Sequence, residues 1–345
     1  MSRVQHISVG EDESEQRLDR WFRRHFPQLG QGFVEKLCRK GDIRVDGGRV
    51  KASTRVSPGQ QIRIPPLPDS PAPKYTPKSA LSAEDTAMIQ ASVLFRDDHL
   101  IVLNKPAGLA SQGGSGQTRH VDGLAEALKF GFEEKPRLVH RLDKDTSGIL
   151  VLARTQRMAT ELTTAFRHRE THKMYWAAVA GVPQPYRGTI KYGLVKAFGG
   201  RGAGEKMHCV HPDEVAGTPG AKRATTDYAV LTSLGRRVSW VALSPITGRT
   251  HQLRAHMAEM GHPIVGDGKY GGSGLENLGD GWGANLGGDI SRKLHLHARS
   301  LRFEHPESKA IMNFTAPLPD HMAKTWATVE WRPDEYAEDP FEDFE

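Results

Sequence analysis

Leu138-Val139-His140-Arg141-Leu142-Asp143-Lys144-Asp145-Thr146-Ser147-Gly148-Ile149-Leu150-Val151-Leu152 joins a charged loop directly to an apolar run. The run reads as a buried strand, and a loop anchored to a buried strand holds its side chains in place. Those side chains include a histidine, an arginine and two carboxylates beside small hydroxyl residues. On residue types alone this is either a charged turn or a carboxylate site.

Working outward, further strands are expected at Val93–Phe95, Leu100–Leu103, Met174–Ala180, Ala224–Leu231 and Val238–Leu243. Helices are expected near Asp122–Lys129, Gln156–Arg167 and Thr250–Met260. Strands and helices mix without strict alternation, which predicts an α+β domain built on a mainly antiparallel sheet with flanking helices. Two Gly-rich stretches, Phe198–Gly220 and Gly271–Gly288, read as long loops.

Upstream, six prolines between Pro65 and Lys78 exclude continuous helix or central strand and mark an extended linker, set at residues 65–90. Before it, Leu18, Trp21, Phe22 and Phe26 fall at helical spacing up to Pro27, and Phe33, Val34, Leu37 and Cys38 suggest a second helix closing at Gly41. Alternation through Asp42–Val50 around Asp46-Gly47-Gly48, repeated at Gln61–Ile64, predicts a hairpin.

Charge separates these regions. The 345 residues carry a net +6, but seven acidic residues and no basic one lie between Pro333 and Glu345. The remainder has 47 Lys and Arg against 34 Asp and Glu, and Arg17–Arg63 alone has twelve against four. That balance favours a polyanionic partner. With 37% apolar residues and no run of about 18 of them, neither a membrane span nor a secretory leader is expected, and the cytoplasm is the default location. Cys38 and Cys209 are too few for a disulfide framework or a zinc knuckle. The spacing of His251 and His256 is not that of a zinc helix, and neither a Walker loop nor a dinucleotide fingerprint occurs, so no metal or cofactor is expected.

Two more segments carry chemistry-bearing residues. Thr247–Met257, followed by Gly261–Asp267 and Lys269–Gly271, reads as a helix capped by Thr247 or Thr250 with Leu253, Met257 and Met260 inward; that leaves Arg249 and Arg254 unexplained. Lys173–Gly181 reads as a strand carrying Tyr175.

The string His140–Gly148 (HRLDKDTSG) resembles the signature of the RluA-type pseudouridine synthases, as do the Thr247–Met257 and Lys173–Gly181 segments. The resemblance implies that Asp143 is the catalytic carboxylate, that Arg254 pairs with it and favours its ionised form, and that Tyr175 stacks on the target base. It implies substrate or RNA contacts for Arg141, Arg249 and Gln252, and no cofactor. Asn104–Leu109 and Leu294–Ala298 match as scaffold.

Residues 15–64 resemble the small RNA-binding domain named after ribosomal small-subunit protein four. This implies docking of structured RNA on Arg20, Arg23, Arg24, Lys36, Arg39 and Lys40, chiefly through phosphates. The catalytic domain is placed at 91–325 and an acidic tail, read as a candidate for disorder, at 326–345. The string Leu109–Gly116 resembles the RluC branch, whose target is large-subunit (23S) ribosomal RNA, bare or within pre-ribosomal particles, and a monomer is expected. A tRNA-modifying synthase and a non-catalytic ribosome-assembly factor are the alternative expectations.

Overall fold

Residues 4–13, 15–67, 81–113, 119–167, 171–196, 206–271, 290–336 and 338–342 are described by the computed structural model of the chain. They divide into two units, Met1–Ala80 and Leu81–Glu345.

The first unit is a pair of helices on small sheets. Its strands are β1 (Gln5–Ser8), β2 (Gln16–Arg17), β3 (Arg44–Val45), β4 (Gly48–Arg49), β5 (Arg55–Val56) and β6 (Gln61–Ile64). The helices are α1 (Leu18–His25) and α2 (Gln31–Lys40). Leu18, Trp21 and Phe22 of α1 and Val34, Leu37 and Cys38 of α2 pack with Ile43, Val56, Ile62 and Ile64 in one core, as the helical spacing predicts. Gly41 ends α2 in the left-handed region at φ 80°. Asp46 and Gly47, at φ 49° and 76°, form the two-residue turn that suits the twist of the β3–β4 hairpin. The indole N–H of Trp21 is satisfied by the buried Glu13 carboxylate at 2.8 Å. One boundary differs from expectation: β1 pairs with β6, so this unit's sheet begins ahead of residue 15.

The second unit opens with α3 (Ala83–Ala91), which occupies the end of the stretch read as linker. Pro68, Pro71, Pro73 and Pro77 lie outside the described residues. Next come β7 (Val93–Arg96), β8 (Leu100–Lys105), α4 (Val121–Leu124), β9 (Arg137–Leu138), β10 (Ser147–Ala153) and α5 (Gln156–Arg167). The chain continues with β11 (Thr171–Ala180), β12 (Arg187–Ile190), β13 (Gly193–Lys196), β14 (Met207–Val210), β15 (Lys222–Arg223), β16 (Thr226–Leu234) and β17 (Val238–Pro245). It closes with α6 (Gln252–Glu259), β18 (Leu296–Glu304), β19 (Ile311–Thr315) and α7 (Asp320–Thr328).

A sheet ordered β12-β16-β17-β11-β18-β10-β8-β7, with β19 on β18 and β9 on β10, runs through the unit. Its described pairs are antiparallel except β10 with β18, which is parallel. The expected mainly antiparallel α+β architecture is therefore what the chain adopts. Every residue of β10 is buried, which explains its unbroken apolar sequence. Gly148, at φ +105°, lets β18 approach: a Cβ there would collide with the Ala298 carbonyl.

Three expectations are corrected. The first Gly-rich stretch is not all loop, because Met207–Val210 pairs with β13, and β15 joins the same three-stranded sheet. Residues 272–289 of the second stretch lie outside the described residues. The described residues 326–336 and 338–342 are not a loose tail: Trp326, Trp331 and Phe341 are buried against Trp176 and Trp240, so three large aromatics offset the local acidity. Finally, Asp122–Lys129 is a single α-turn continued by a 3-10 segment, Ala125–Leu128. Among the described residues no helix is long and apolar enough to cross a membrane.

Candidate active site

Asp143 sits in the loop between β9 and β10, and its neighbours fix it from both sides. One residue before it, Leu142 gives its backbone N–H to the Ser111 hydroxyl at 3.0 Å and accepts that hydroxyl's proton on its carbonyl at 2.7 Å. One residue after it, the Lys144 carbonyl accepts from Gly108 N–H at 2.9 Å and from Lys105 Nζ at 3.1 Å. Lys105 is fully buried and also donates to the Pro106 and Leu109 carbonyls. Burial pulls its pKa down to about 7, against Asp145 and Asp143, which favour the charged form. Three carbonyl acceptors need three N–H donors, so the ammonium is the form that fits this pocket.

The start of the loop is held as well. Val151 N–H donates to His140 Nε2 at 3.0 Å, and the ring stacks on Phe166 at 4.4 Å. Burial drives His140 down to about 3, which keeps that nitrogen available as an acceptor. Ser147, the first residue of β10, hydrogen-bonds His297 Nδ1 at 2.8 Å.

Arg254 Nη1 lies 3.7 Å from Asp143 Oδ2, so the expected pair is present in space. Its main partner is another carboxylate, which corrects the simpler expectation. Arg254 Nε and Nη2 each donate to Asp267 at 2.7 Å, with the Asp267 side chain wholly buried. Asp267 Oδ1 also accepts the Lys269 and Tyr270 backbone N–H groups. The bidentate bond fixes the plane of the guanidinium and leaves Nη1 facing Asp143. Gly266, just before Asp267, has φ +74° and packs where a Cβ would strike the Lys293 carbonyl.

Tyr175 lies on β11, where the register with β18 shifts between Met174 and Tyr175. It shares a cavity of about 130 Å³ with Asp143, Thr146, Leu253, Arg254 and Leu296. Burial, then the Asp143 charge, raises the Tyr175 phenol above its ordinary range, so it stays protonated. Asp143 also borders a wider cavity of about 730 Å³ whose lining includes Lys144, Asp145, Lys269, Arg292 and Lys293. Arg141, Asp143, His251 and Arg254 border both spaces.

Arg249 is exposed at the edge of the small cavity, its Nε 3.4 Å from the Arg223 carbonyl. Gln252 is different. It is 3% exposed and spends its amide inside the protein. It donates to Thr225 O and Thr226 Oγ1 and accepts from Thr247 Oγ1 and Arg249 N–H. Its expected contact with RNA is corrected to anchoring the turn that carries Arg249 and His251. Arg20, Arg23, Arg24, Lys36, Arg39 and Lys40 are exposed on α1 and α2 of the first unit, with Arg24 3.6 Å from Glu13.

The sequence reading misses Ser111, Lys105, Asp267, Tyr270 and His251. Residue 251 is the clearest local signal, a non-glycine at φ 52° heading α6, a conformation that costs about 1–3 kcal/mol and gathers at functional sites. Among the described residues no cluster of three or more His, Cys, Asp or Glu could hold a metal ion.

The second unit is thus a sheet-based domain whose clamped carboxylate, Asp143, shares a cavity with the Arg254 guanidinium and Tyr175. The chain belongs to the RNA pseudouridylate synthase family, whose profile matches residues 99–259, and it is an enzyme that isomerises uridine in RNA to pseudouridine. It is 35% identical to ribosomal large subunit pseudouridine synthase C of Haemophilus influenzae, over 94% of both chains. It is also 35% identical to the mitochondrial RNA pseudouridine synthase 4 of Arabidopsis thaliana, over 92% of this chain and 80% of that one. The solved structure of human RNA pseudouridylate synthase domain containing 4 is similar with a TM-score of 0.57 and 30% identity, covering 71% of this chain and 95% of the human one.

Proposed function

We propose that the protein isomerises uridines of large-subunit (23S) ribosomal RNA, with Asp143 as the reacting carboxylate. The observation that carries this reading is the seat of Asp143: a half-buried carboxylate, clamped on both sides, shared by a small cavity with Tyr175 and a wide basic one. In the reaction the N-glycosidic bond of uridine breaks, the uracil turns, and its C5 bonds the same ribose carbon, losing a proton to solvent while N1 takes one up. Nothing is consumed, so the stoichiometry demands no cofactor. Asp143 can attack the uracil ring, attack the anomeric carbon or remove a ribose proton; each route uses an unprotonated carboxylate. Arg254 supports that state by charge and steadies negative charge on the displaced base. Tyr175 receives the everted ring as a stacking surface. Arg141 and Arg249, at the rim, contact the flanking phosphates.

The first unit serves as the docking module of the ribosomal-protein-four type. Its six exposed basic residues on α1 and α2 supply a sequence-independent phosphate grip. The ribosomal target is supported by the 33–35% identity to enzymes named for the large ribosomal subunit over more than nine-tenths of both chains.

Chemical mapping of pseudouridine in ribosomal RNA and tRNA, from cells with and without the gene, tests reaction and target together. Sites lost only from large-subunit RNA support the proposal. Loss only from tRNA identifies a tRNA synthase, and an unchanged map with defective subunit assembly identifies an assembly factor.

A further inference from the structure

We propose that His251 is a positioning residue of the same reaction, its tautomer set by Tyr270 so that its Nε2–H faces the Asp143 carboxylate. The inference rests on the reading of Asp143 as the reacting group. It starts from a partly buried chain of hydrogen bonds. Met207 N–H donates to the Tyr270 hydroxyl oxygen at 2.8 Å, and that oxygen lies 3.0 Å from His251 Nδ1. The oxygen already accepts from Met207, so the proposal gives the hydroxyl's one proton to His251 Nδ1, the acceptor within reach among the described residues. Nδ1 is then unprotonated and the ring's hydrogen sits on Nε2. That nitrogen lies 3.9 Å from Asp143 Oδ2, the oxygen Arg254 also approaches at 3.7 Å. Both groups therefore approach Oδ2, and among the described residues no partner stands at Oδ1, the oxygen the proposal gives to the substrate.

Each part of the chain is fixed. His251 heads α6 with a left-handed backbone, and its ring lies between the Tyr270 hydroxyl and the Asp143 carboxylate. Tyr270 is 7% exposed and is held through its backbone by Asp267, the same carboxylate that holds Arg254. Lys206 and Arg254 lie 5.4 and 5.2 Å from the centre of its ring. Met207 belongs to the small β13–β14–β15 sheet, so that sheet reaches the catalytic carboxylate through one N–H group.

The groups facing His251 are Asp143 on its loop, Arg254 on α6, and Asp267, Lys269 and Tyr270 on the segment after α6. Burial lowers its pKa first, Arg254 and Lys269 add to this, and Asp143 and Asp267 oppose. A neutral imidazole steadies the carboxylate without cancelling its charge. An imidazolium would pair with it and blunt its reactivity. The Tyr270 hydroxyl, by filling Nδ1, works against that protonation.

Single-turnover isomerisation with full-length protein and ribosomal RNA fragments, followed from about pH 5.5 to 9, tests this. His251→Asn should slow turnover by about 10- to 100-fold with RNA affinity unchanged, and His251→Gln, whose amide nitrogen can stand near the Nε2 position, should regain part of the loss. Tyr270→Phe should move the acid limb of the rate profile to higher pH, losing about tenfold near pH 6 and little at pH 8.5. In a His251→Gln background Tyr270→Phe should produce no such displacement. The profile compares one variant with itself, so a uniformly inactive fraction cancels. A parent-like rate for His251→Asn, or a Tyr270→Phe profile superimposed on the parent's, overturns the proposal. Asp143→Asn in the same assay separates the two readings: activity there defeats the assignment of Asp143, whereas its loss with parent-like His251 and Tyr270 variants defeats only the role of His251.

Discussion

Replacing Ser111 with alanine removes one hydroxyl and orphans two backbone groups at once. The N–H and carbonyl of Leu142 both bond that hydroxyl, at 3.0 and 2.7 Å, and Ser111 is 3% exposed. Leaving a buried backbone group unpaired costs about 1–3 kcal/mol. The loop borders a water-accessible cavity, and a water reaching one of the two groups brings the expected sum to about 2–4 kcal/mol. For a domain of this size that lowers the melting temperature by about 5–10 °C. The catalytic effect is larger than the stability loss suggests, because Asp143 is the next residue and a displacement of about 1 Å costs about 100-fold. The assay is release of tritium from C5-labelled uridine in RNA, since C5 gives up its hydrogen when it becomes the glycosidic carbon. Ser111→Ala should lower kcat by about 10- to 100-fold and leave KM for RNA within about twofold. A variant with kcat within twofold of the parent and a melting temperature within 1 °C would refute the claim that Ser111 holds the loop.

Asp267→Ala should destabilise the second unit by about 3–5 kcal/mol in urea unfolding, because it strands a buried guanidinium; a loss below about 1 kcal/mol would show that Arg254 finds another partner. His256, His295 and His297 are fully buried, and desolvation holds them at about 4, 4 and 3. Unfolded, each titrates near 6.5, so the unfolded chain takes up protons first as the pH falls. Their contribution is fully present above about pH 6.5 and is lost below it at about 1.4 kcal/mol per pH unit each, about 4 together, down to about pH 4. The urea midpoint should drop steeply from pH 6.5 to 5, and a flat midpoint would contradict these neutral histidines. Charge reversal of Arg20, Arg23 and Arg24 should weaken RNA binding and flatten its dependence on log salt by about 0.7–0.9 for each phosphate no longer neutralised; an unchanged slope removes the first unit as the docking element.

The parts of the site that the sequence makes legible are those whose contacts are local. The loop around Asp143 is contiguous with the apolar strand that seats it, and the helix carrying Arg254 announces itself through Leu253 and Met257, both buried. The packing of Leu18, Trp21 and Phe22 follows equally from their spacing. What is not legible depends on distant approach. Ser111 meets Leu142 across 31 positions, and Lys105 meets Lys144 across 39. A buried serine and a buried lysine look like surface residues until the sheet brings them together. Gln252 misleads for the opposite reason: a polar residue beside two arginines suggests the ligand, but its amide is satisfied by Thr225, Thr226 and Thr247. The acidic composition of the tail set at 326–345 conceals Trp331 and Phe341 only because composition averages over the residues that do the packing.

The most direct test of the account is Asp143→Asn, assayed for tritium release in single turnover beside a measurement of RNA affinity on the same preparation. Asparagine keeps the size and the position between Leu142 and Lys144 but removes the charge. The expected result is no detectable release with a Kd within about twofold of the parent. Product formed at the parent rate by this variant would contradict the claim that a carboxylate at position 143 carries the chemistry.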